Sequence, residues 1–291
     1  FKAGLMPLHV WLPGAHANAP SHVSAVMSGV MLKMGVYGIV RMTALLPTGP
    51  AWWGYTVLAA GAASSVAGIA FAVGQRDLKR LLAYSSIENI GIIAMGVGLA
   101  LLGRACGQPV WVMLGLGGAL FHTWNHSLFK PLLFLNAGAV IHAAGTRDID
   151  RMGGLAKRMP QTAALFALGA VAICALPPLN GFASEWLLYC GLFRTLGIGS
   201  TSAAPVAAIA AVALAMTGAL AVACFVKLFA AAFLGEPRHA AEDGHGGEAP
   251  AAMRVPMALL ALGCAAAGLF PLALAAPLEE AVRLWAAAPD L

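Results

Sequence analysis

The chain has 291 residues, of which 60% are hydrophobic and only 10% charged. Soluble domains carry about 25% charged residues, so a soluble globular protein is excluded and an integral membrane protein indicated. The formal net charge of +5 comes with no basic-aromatic patch outside the apolar segments, which excludes nucleic-acid binding and assigns the excess to basic loops at a bilayer surface.

Phe1-Lys2-Ala3-Gly4 is not an initiator methionine with a signal sequence, and Met6 to Pro13 is too short to span, so the chain is expected to be a piece of a longer protein that begins partway through a helix. Leu5 to Trp11 reads as the tail of an interrupted helix with Pro7 and Pro13 as breakers, and Pro13 to Ser21 as a loop. Spans long enough for a bilayer core of about 30 Å follow at His22–Leu46, Trp52–Val73, Leu81–Leu102 and Trp111–Ala143. Within the last of these, Pro131 should loosen the helix. A fifth span starts near Thr162, is broken by Pro177-Pro178-Leu179-Asn180-Gly181 and resumes through Glu185 to Leu196. Ala204–Leu234 and Val255–Ala276 complete the set, separated by a polar loop, and Pro277–Trp285 reads as interfacial.

Alternating these spans gathers the loops at 75–80, 143–160 and 236–253 on one side, with Arg76, Lys79, Arg80, Arg147, Arg151, Lys157, Arg158 and Arg238. The opposite loops offer mainly Arg104 and Arg194, so the first set faces the cytoplasm.

Lys33, Glu88, Lys130, Glu185 and Lys227 lie inside otherwise apolar spans. A lysine at a helix centre costs roughly 2.5–3.5 kcal/mol on insertion scales, so each needs a polar or wet neighbourhood. Lys227, near a helix end, also reads as a snorkelling cation. His122, His126 and Lys130 follow one another at i, i+4, i+8 and share one helix face. His-Thr-Trp-Asn-His lacks the glutamate of a zinc-hydrolase helix, and two histidines on one face cannot ligate both sides of a haem. Proton shuttling suits them, with structural hydrogen bonding as the alternative. Near the start, His16 and His22 read as capping or interfacial groups, and Lys2 says little on physics alone. Cys106, Cys174, Cys190, Cys224 and Cys264 are widely separated with no CxxC, so iron–sulfur, zinc and disulfide frameworks lack support. No catalytic, metal or cofactor-binding set is expected. An acid just after a helix break matches the ion sites of transporters.

Four stretches carry a resemblance: KAGLMPLHVWLPGAHANAPSHVSAVMSGVMLKMGVYGIVR, QRDLKRLLAYSSIENIGII, FHTWNHSLFKPLLFLNAGAVIH and LPPLNGFASEWLL. In this order and spacing they resemble the antiporter-like subunits of respiratory complex I, of Mrp-type cation/proton antiporters and of energy-converting nickel–iron hydrogenases. The first stretch and SSIENIGII lean toward the hydrogenase-4 and formate hydrogenlyase branch. Complex I members usually read Ser-His-Met-Gly where this chain has Glu88-Asn89-Ile90-Gly91.

The resemblance implies an all-α polytopic fold of two inverted five-helix repeats with discontinuous helices. Residues 1–50 would be the end of the first repeat, 51–235 the complete second repeat, and 236–291 a polar loop, final span and interfacial tail. It further implies that Lys2, Lys33, His122, His126, Lys130 and Glu185 belong to a water-filled proton axis driven by redox partner subunits. Glu88 is added by repeat logic and Lys227 by its place within a span. The glutamate expected to pair with the first lysine would belong to a helix absent from this sequence. The function expected is a proton-translocating subunit in an inner-membrane hydrogenase or complex I-like assembly, with other membrane subunits and lipid as partners. A stand-alone cation/proton antiporter and a non-conducting membrane anchor are the alternatives.

Overall fold

The computed structural model describes residues 1–46, 49–197, 203–238 and 247–286; these are overwhelmingly helical, with one isolated bridge between Asp77 and Asp148 and no strand. A bilayer offers no water to unpaired backbone groups, so a chain this apolar satisfies them within helices. In order these are the short α1 (Trp11–Asn18), α2 (Ser21–Leu45), α3 (Ala51–Val73), α4 (Leu78–Ala105), α5 (Pro109–Ala144), the pair α6 (Pro160–Ile173) and α7 (Asn180–Leu196), then α8 (Ala203–Phe233), α9 (Ala251–Leu269) and α10 (Ala275–Ala286). Among the described residues α2, α3, α4, α5, α8 and α9 are long and apolar enough to cross a membrane.

Three expectations need correction. The interrupted helix near the start does not end at Trp11 followed by a loop: residues 6–10 are turns and α1 occupies Trp11–Asn18. Pro13 is the third residue of α1, where the missing N–H has no intrahelical acceptor to lose, so it does not break the helix. Pro131 does not interrupt α5, which runs unbroken from Pro109 to Ala144. Its ring nests on Gly29, where a Cβ would stand 2.5 Å from Pro131 Cγ, inside a π-helical turn of α2 at Met27–Met31. The last span stops at Leu269 and not at Ala276, because Pro271 holds Phe270 out of the helical region and opens a 3₁₀ turn.

The break in the fifth span is real: α6 and α7 are separated by Cys174–Leu179. The two halves meet so closely that a Cβ on Gly181 would stand 2.0 Å from the Ala172 carbonyl oxygen.

α4 is the axis of the bundle, its whole apolar stretch buried by its neighbours. α3 reaches it through Gly54, Gly61 and Gly68, one every seven residues, facing Gly91 and Gly98 of α4. A Cβ on Gly68 would lie 2.6 Å from the Glu88 amide nitrogen, so the small-residue stripe brings α3 backbone against the turn that carries Glu88.

The basic loops assemble at one end. Asp77 caps α4 by accepting from the amides of Lys79 and Arg80, and pairs with Arg147 at 2.7 Å. Lys79 and Arg147 in turn donate to the carbonyls of Ala19 and Ala17 at the C-terminal end of α1. Arg76–Asp150 and Lys157–Glu236 pairs join the other loops at the same end. At the far end Arg104 donates to the Thr43 carbonyl and lies 4.1 Å from the ring centroid of Trp285, the residue by which α10 docks.

Candidate functional site

Four elements converge on a buried polar row. α4 brings Ser85, Glu88 and Asn89; α5 brings His122, Asn125, His126 and Lys130; α7 brings Asn180, Ser184 and Glu185; each is at most 6% exposed. α2 contributes Ser28 and Lys33. On α5 the polar groups recur at three- and four-residue steps and so occupy one face, and the break between α6 and α7 sets Asn180 and Ser184 against them.

The hydrogen bonds form two groups, one around Lys33 and His126 and one from Lys130 to the α6–α7 break. Lys33 Nζ donates to the Ser28 carbonyl at 2.5 Å and meets His126 Nδ1. Ser28 and Ser86 share a hydroxyl–hydroxyl bond of 2.9 Å, tying α2 to α4. Lys130 Nζ donates to Ser85 Oγ at 2.5 Å. The Ser85 carbonyl accepts from Asn89 Nδ2 at 2.8 Å, and Asn89 Oδ1 lies 3.1 Å from His122 Nε2. His122 Nδ1 lies 2.9 Å from Ser184 Oγ, which also accepts from Asn125 Nδ2 at 3.0 Å. Asn125 Nδ2 further donates to the Asn180 carbonyl, a backbone group of the break, at 2.7 Å. Glu88 lies within electrostatic reach of Lys130 and Glu185, as does Lys33 of Lys130 and both histidines.

Among the expected site residues, Lys33, Glu88, His122, His126, Lys130 and Glu185 come together here. Lys2 does not: it is exposed at the surface. Lys227 is exposed as well, and its ammonium donates to the Val73 carbonyl at 2.8 Å, capping the end of α3. Sequence reasoning missed the neutral members, Ser85, Asn89, Asn125 and Ser184, because serine and asparagine in a membrane helix give no charge signal. It also misassigned His16, which is fully buried and stacked on Phe134 with ring centroids 4.7 Å apart. Its setting, Gly-Ala-His-Ala-Asn between prolines, reads as a surface loop, whereas α1 packs on α4 and buries the ring against Phe134 of α5.

Neither ring nitrogen of His16, nor His126 Nε2, nor Asn125 Oδ1 has a hydrogen-bond partner among the described residues. Buried polar atoms of this kind are where ordered water is held. Among the described residues no three His, Cys, Asp or Glu side chains converge as a metal-binding group. What the arrangement offers is proton exchange: amines, imidazoles, carboxyls and hydroxyls within reach of one another in a low-dielectric interior.

The family model for the transmembrane region of NADH:quinone oxidoreductase and Mrp antiporter subunits matches residues 1–209. The chain belongs to this family. It is 51% identical over 267 residues to hydrogenase-4 component B of Escherichia coli (strain K12), covering 90% of this chain and 39% of that relative. It is 43% identical over 287 residues to formate hydrogenlyase subunit 3 of the same organism, covering 96% of this chain and 47% of the relative. The chain thus spans less than half the length of these curated relatives. Among solved structures, the Mrp complex from Dietzia sp. DQ12-45-1b contains a chain that superposes with a TM-score of 0.82 over 99% of this chain and 57% of its own length. At 23% identity that likeness is one of fold.

Proposed function

We propose that this chain forms the proton-translocating core of a membrane subunit in a hydrogenase- or complex I-like assembly of the inner membrane. The observation that carries the reading is the polar row itself, which runs from Lys33 on α2, past Lys130 on α5, to Ser184 at the α6–α7 break. Lys130 is its central relay, His122 and His126 its imidazole shuttles, and Lys33, Glu88 and Glu185 the flanking charges. Two unit charges 4 Å apart interact by about 4 kcal/mol at an effective dielectric of 20, so gaining or losing one proton shifts its neighbours by several pKa units. Protons then move by coupled titration, each charge displacing the next. A broken helix at one end of the row supplies freed backbone groups for water to bind.

In the same reading, residues 1–50 close a first inverted repeat. Residues 51–235, with α3, α4, α5, the α6–α7 pair and α8, make up the second, and 236–291 form a tail. Lys2 and Lys227 serve as surface groups through which protons reach the row. Electron transfer resides in partner subunits, and the names of the relatives, component B and subunit 3, are those of parts of larger assemblies.

The test is the full complex reconstituted in vesicles, with internal pH read by a dye during turnover. Lys130→Ala is expected to lower proton movement at least tenfold, the scale of one well-placed proton-transfer group. Unchanged proton movement and electron transfer in that variant would sink the proposal. Sodium-dependent pH changes in vesicles holding no redox partner would point instead to a stand-alone cation/proton antiporter.

A further inference from the structure

We infer that Ser184 is the hydroxyl through which His122 exchanges its proton, and that the exchange is written into the first turn of α7. The inference rests on reading the row as a proton path, and deepens it.

The His122 tautomer follows from its partners. Asn89 Nδ2 donates to the Ser85 carbonyl at 2.8 Å, and a carbonyl can only accept, so the amide oxygen of Asn89 must face His122. His122 Nε2 therefore carries a proton and donates it to Asn89 Oδ1. In neutral His122 the bare nitrogen is then Nδ1, and Ser184 Oγ stands 2.9 Å from it.

Ser184 has one proton and three possible acceptors. Its oxygen already accepts from Asn125 Nδ2 at 3.0 Å. Its hydroxyl can donate to His122 Nδ1 or to the carbonyls of Gly181 at 3.0 Å and Asn180 at 3.4 Å. While His122 is neutral, Nδ1 takes the bond. Once Nδ1 is protonated it becomes a donor, Ser184 Oγ must accept, and the hydroxyl proton turns to the Gly181 carbonyl. One proton position thus reports the charge of His122 to the helix break.

The transfer balances. The Ser184 O–H bond breaks as the Nδ1–H bond forms, and the serine oxygen takes a replacement proton from water. The net change is one proton moved onto the imidazole. Gly181 is a sensitive place for the signal to land, because it lies hard against the Ala172 carbonyl of α6. The charged and titratable groups bearing on His122 are Lys33 of α2 and His126 of α5, while Lys130 of α5 and Glu185 of α7 bear on Glu88 of α4 in the same row.

The experiment compares Ser184→Ala, Ser184→Thr and Lys130→Ala with the parent in the reconstituted full complex, reading proton movement and the ¹⁵N spectrum of His122. Ser184→Ala should slow proton movement by about tenfold or more, at the scale of losing a positioned proton-transfer group. It should also move the Nδ1 resonance toward that of an unbonded imidazole nitrogen. Ser184→Thr keeps the hydroxyl and should hold proton movement within about twofold, which separates chemistry from packing. Parental proton movement in Ser184→Ala, with Lys130→Ala impaired, overturns the inference and leaves the proposed function standing. Parental movement in Lys130→Ala overturns the proposed function. A proton found on Nδ1 rather than Nε2 of neutral His122 overturns the tautomer assignment, and the inference with it, whatever the flux.

Discussion

Lys130 has no exposed surface and donates to Ser85. An ammonium in that setting has lost its water and recovered only part of it through the Ser85 hydroxyl. Lys130 is also the cation set against buried Glu88, so removing it alone leaves that acid without its counter-charge and should lower stability, by up to about 3–5 kcal/mol, together with proton movement. Thermal unfolding of Lys130→Met in detergent and flux in vesicles measure the two losses. Ser85→Ala should lower stability by about 1–3 kcal/mol, because the charge stays and its partner goes. Residues of this kind divide cleanly by how visible they are in a sequence. Lys33, Glu88, Lys130 and Glu185 stand out because a charge in an apolar run has no bland explanation. Ser85, Asn89 and Ser184 do not, since only three-dimensional proximity distinguishes a relay hydroxyl from one bonded back to its own helix.

At the level of elements, the spans were legible because hydropathy over some twenty residues is a summed signal, and the α6–α7 break because Pro177-Pro178 and Gly181 cannot continue a helix. The start of the chain was not, since a proline in the first turn of α1 looks the same in sequence as one that ends a helix. The α3–α4 seam follows from its glycines. Gly61→Val and Gly91→Val should each lower stability by about 1–3 kcal/mol or more, because the added atoms meet backbone at 2.6 and 2.5 Å with no side chain to yield. Gly218→Ala in α8, where a Cβ meets nothing within 4 Å, should be neutral or gain up to about 1 kcal/mol. Thermal unfolding of the three variants side by side separates seam packing from helix propensity. A second element-scale test concerns the start of α6. Glu248 accepts from the Gln161 amide at 2.8 Å and the Thr162 hydroxyl at 2.5 Å. Burial raises its pKa, but the Thr162 hydroxyl and the amides of Gln161, Ala249 and Thr162 outweigh that, so the net value lies below the ordinary carboxylate range. A depressed folded pKa gives stability that is present above the ordinary carboxylate pKa and is lost as pH falls through the depressed one. Much of this side chain remains in water, so the contribution is no more than about 1 kcal/mol. Glu248→Gln should remove it at pH 7 and flatten the stability profile on the acid side.

The whole molecule has a polarity that no single residue or helix shows. The three basic loops are drawn to one end by pairs such as Arg147–Asp77, Arg76–Asp150 and Lys157–Glu236, and the C-terminal end of α1 is held there by Lys79 and Arg147. The other end carries Arg104, enclosed by Thr43 and Trp285. Positive charge collects on the cytoplasmic side of membrane proteins, so the loop end faces the cytoplasm. The consequence is open to labelling. In a background with the five native cysteines replaced, Lys157→Cys should react with a membrane-impermeant maleimide only in inverted vesicles, and Ala105→Cys only in intact spheroplasts. Both positions are exposed, and they sit at opposite ends of the bundle. Labelling of both from one face would contradict an odd number of crossings between them. The reverse pattern would keep the fold but invert it, and with it the direction of the proton path proposed for the row from Lys33 to Ser184.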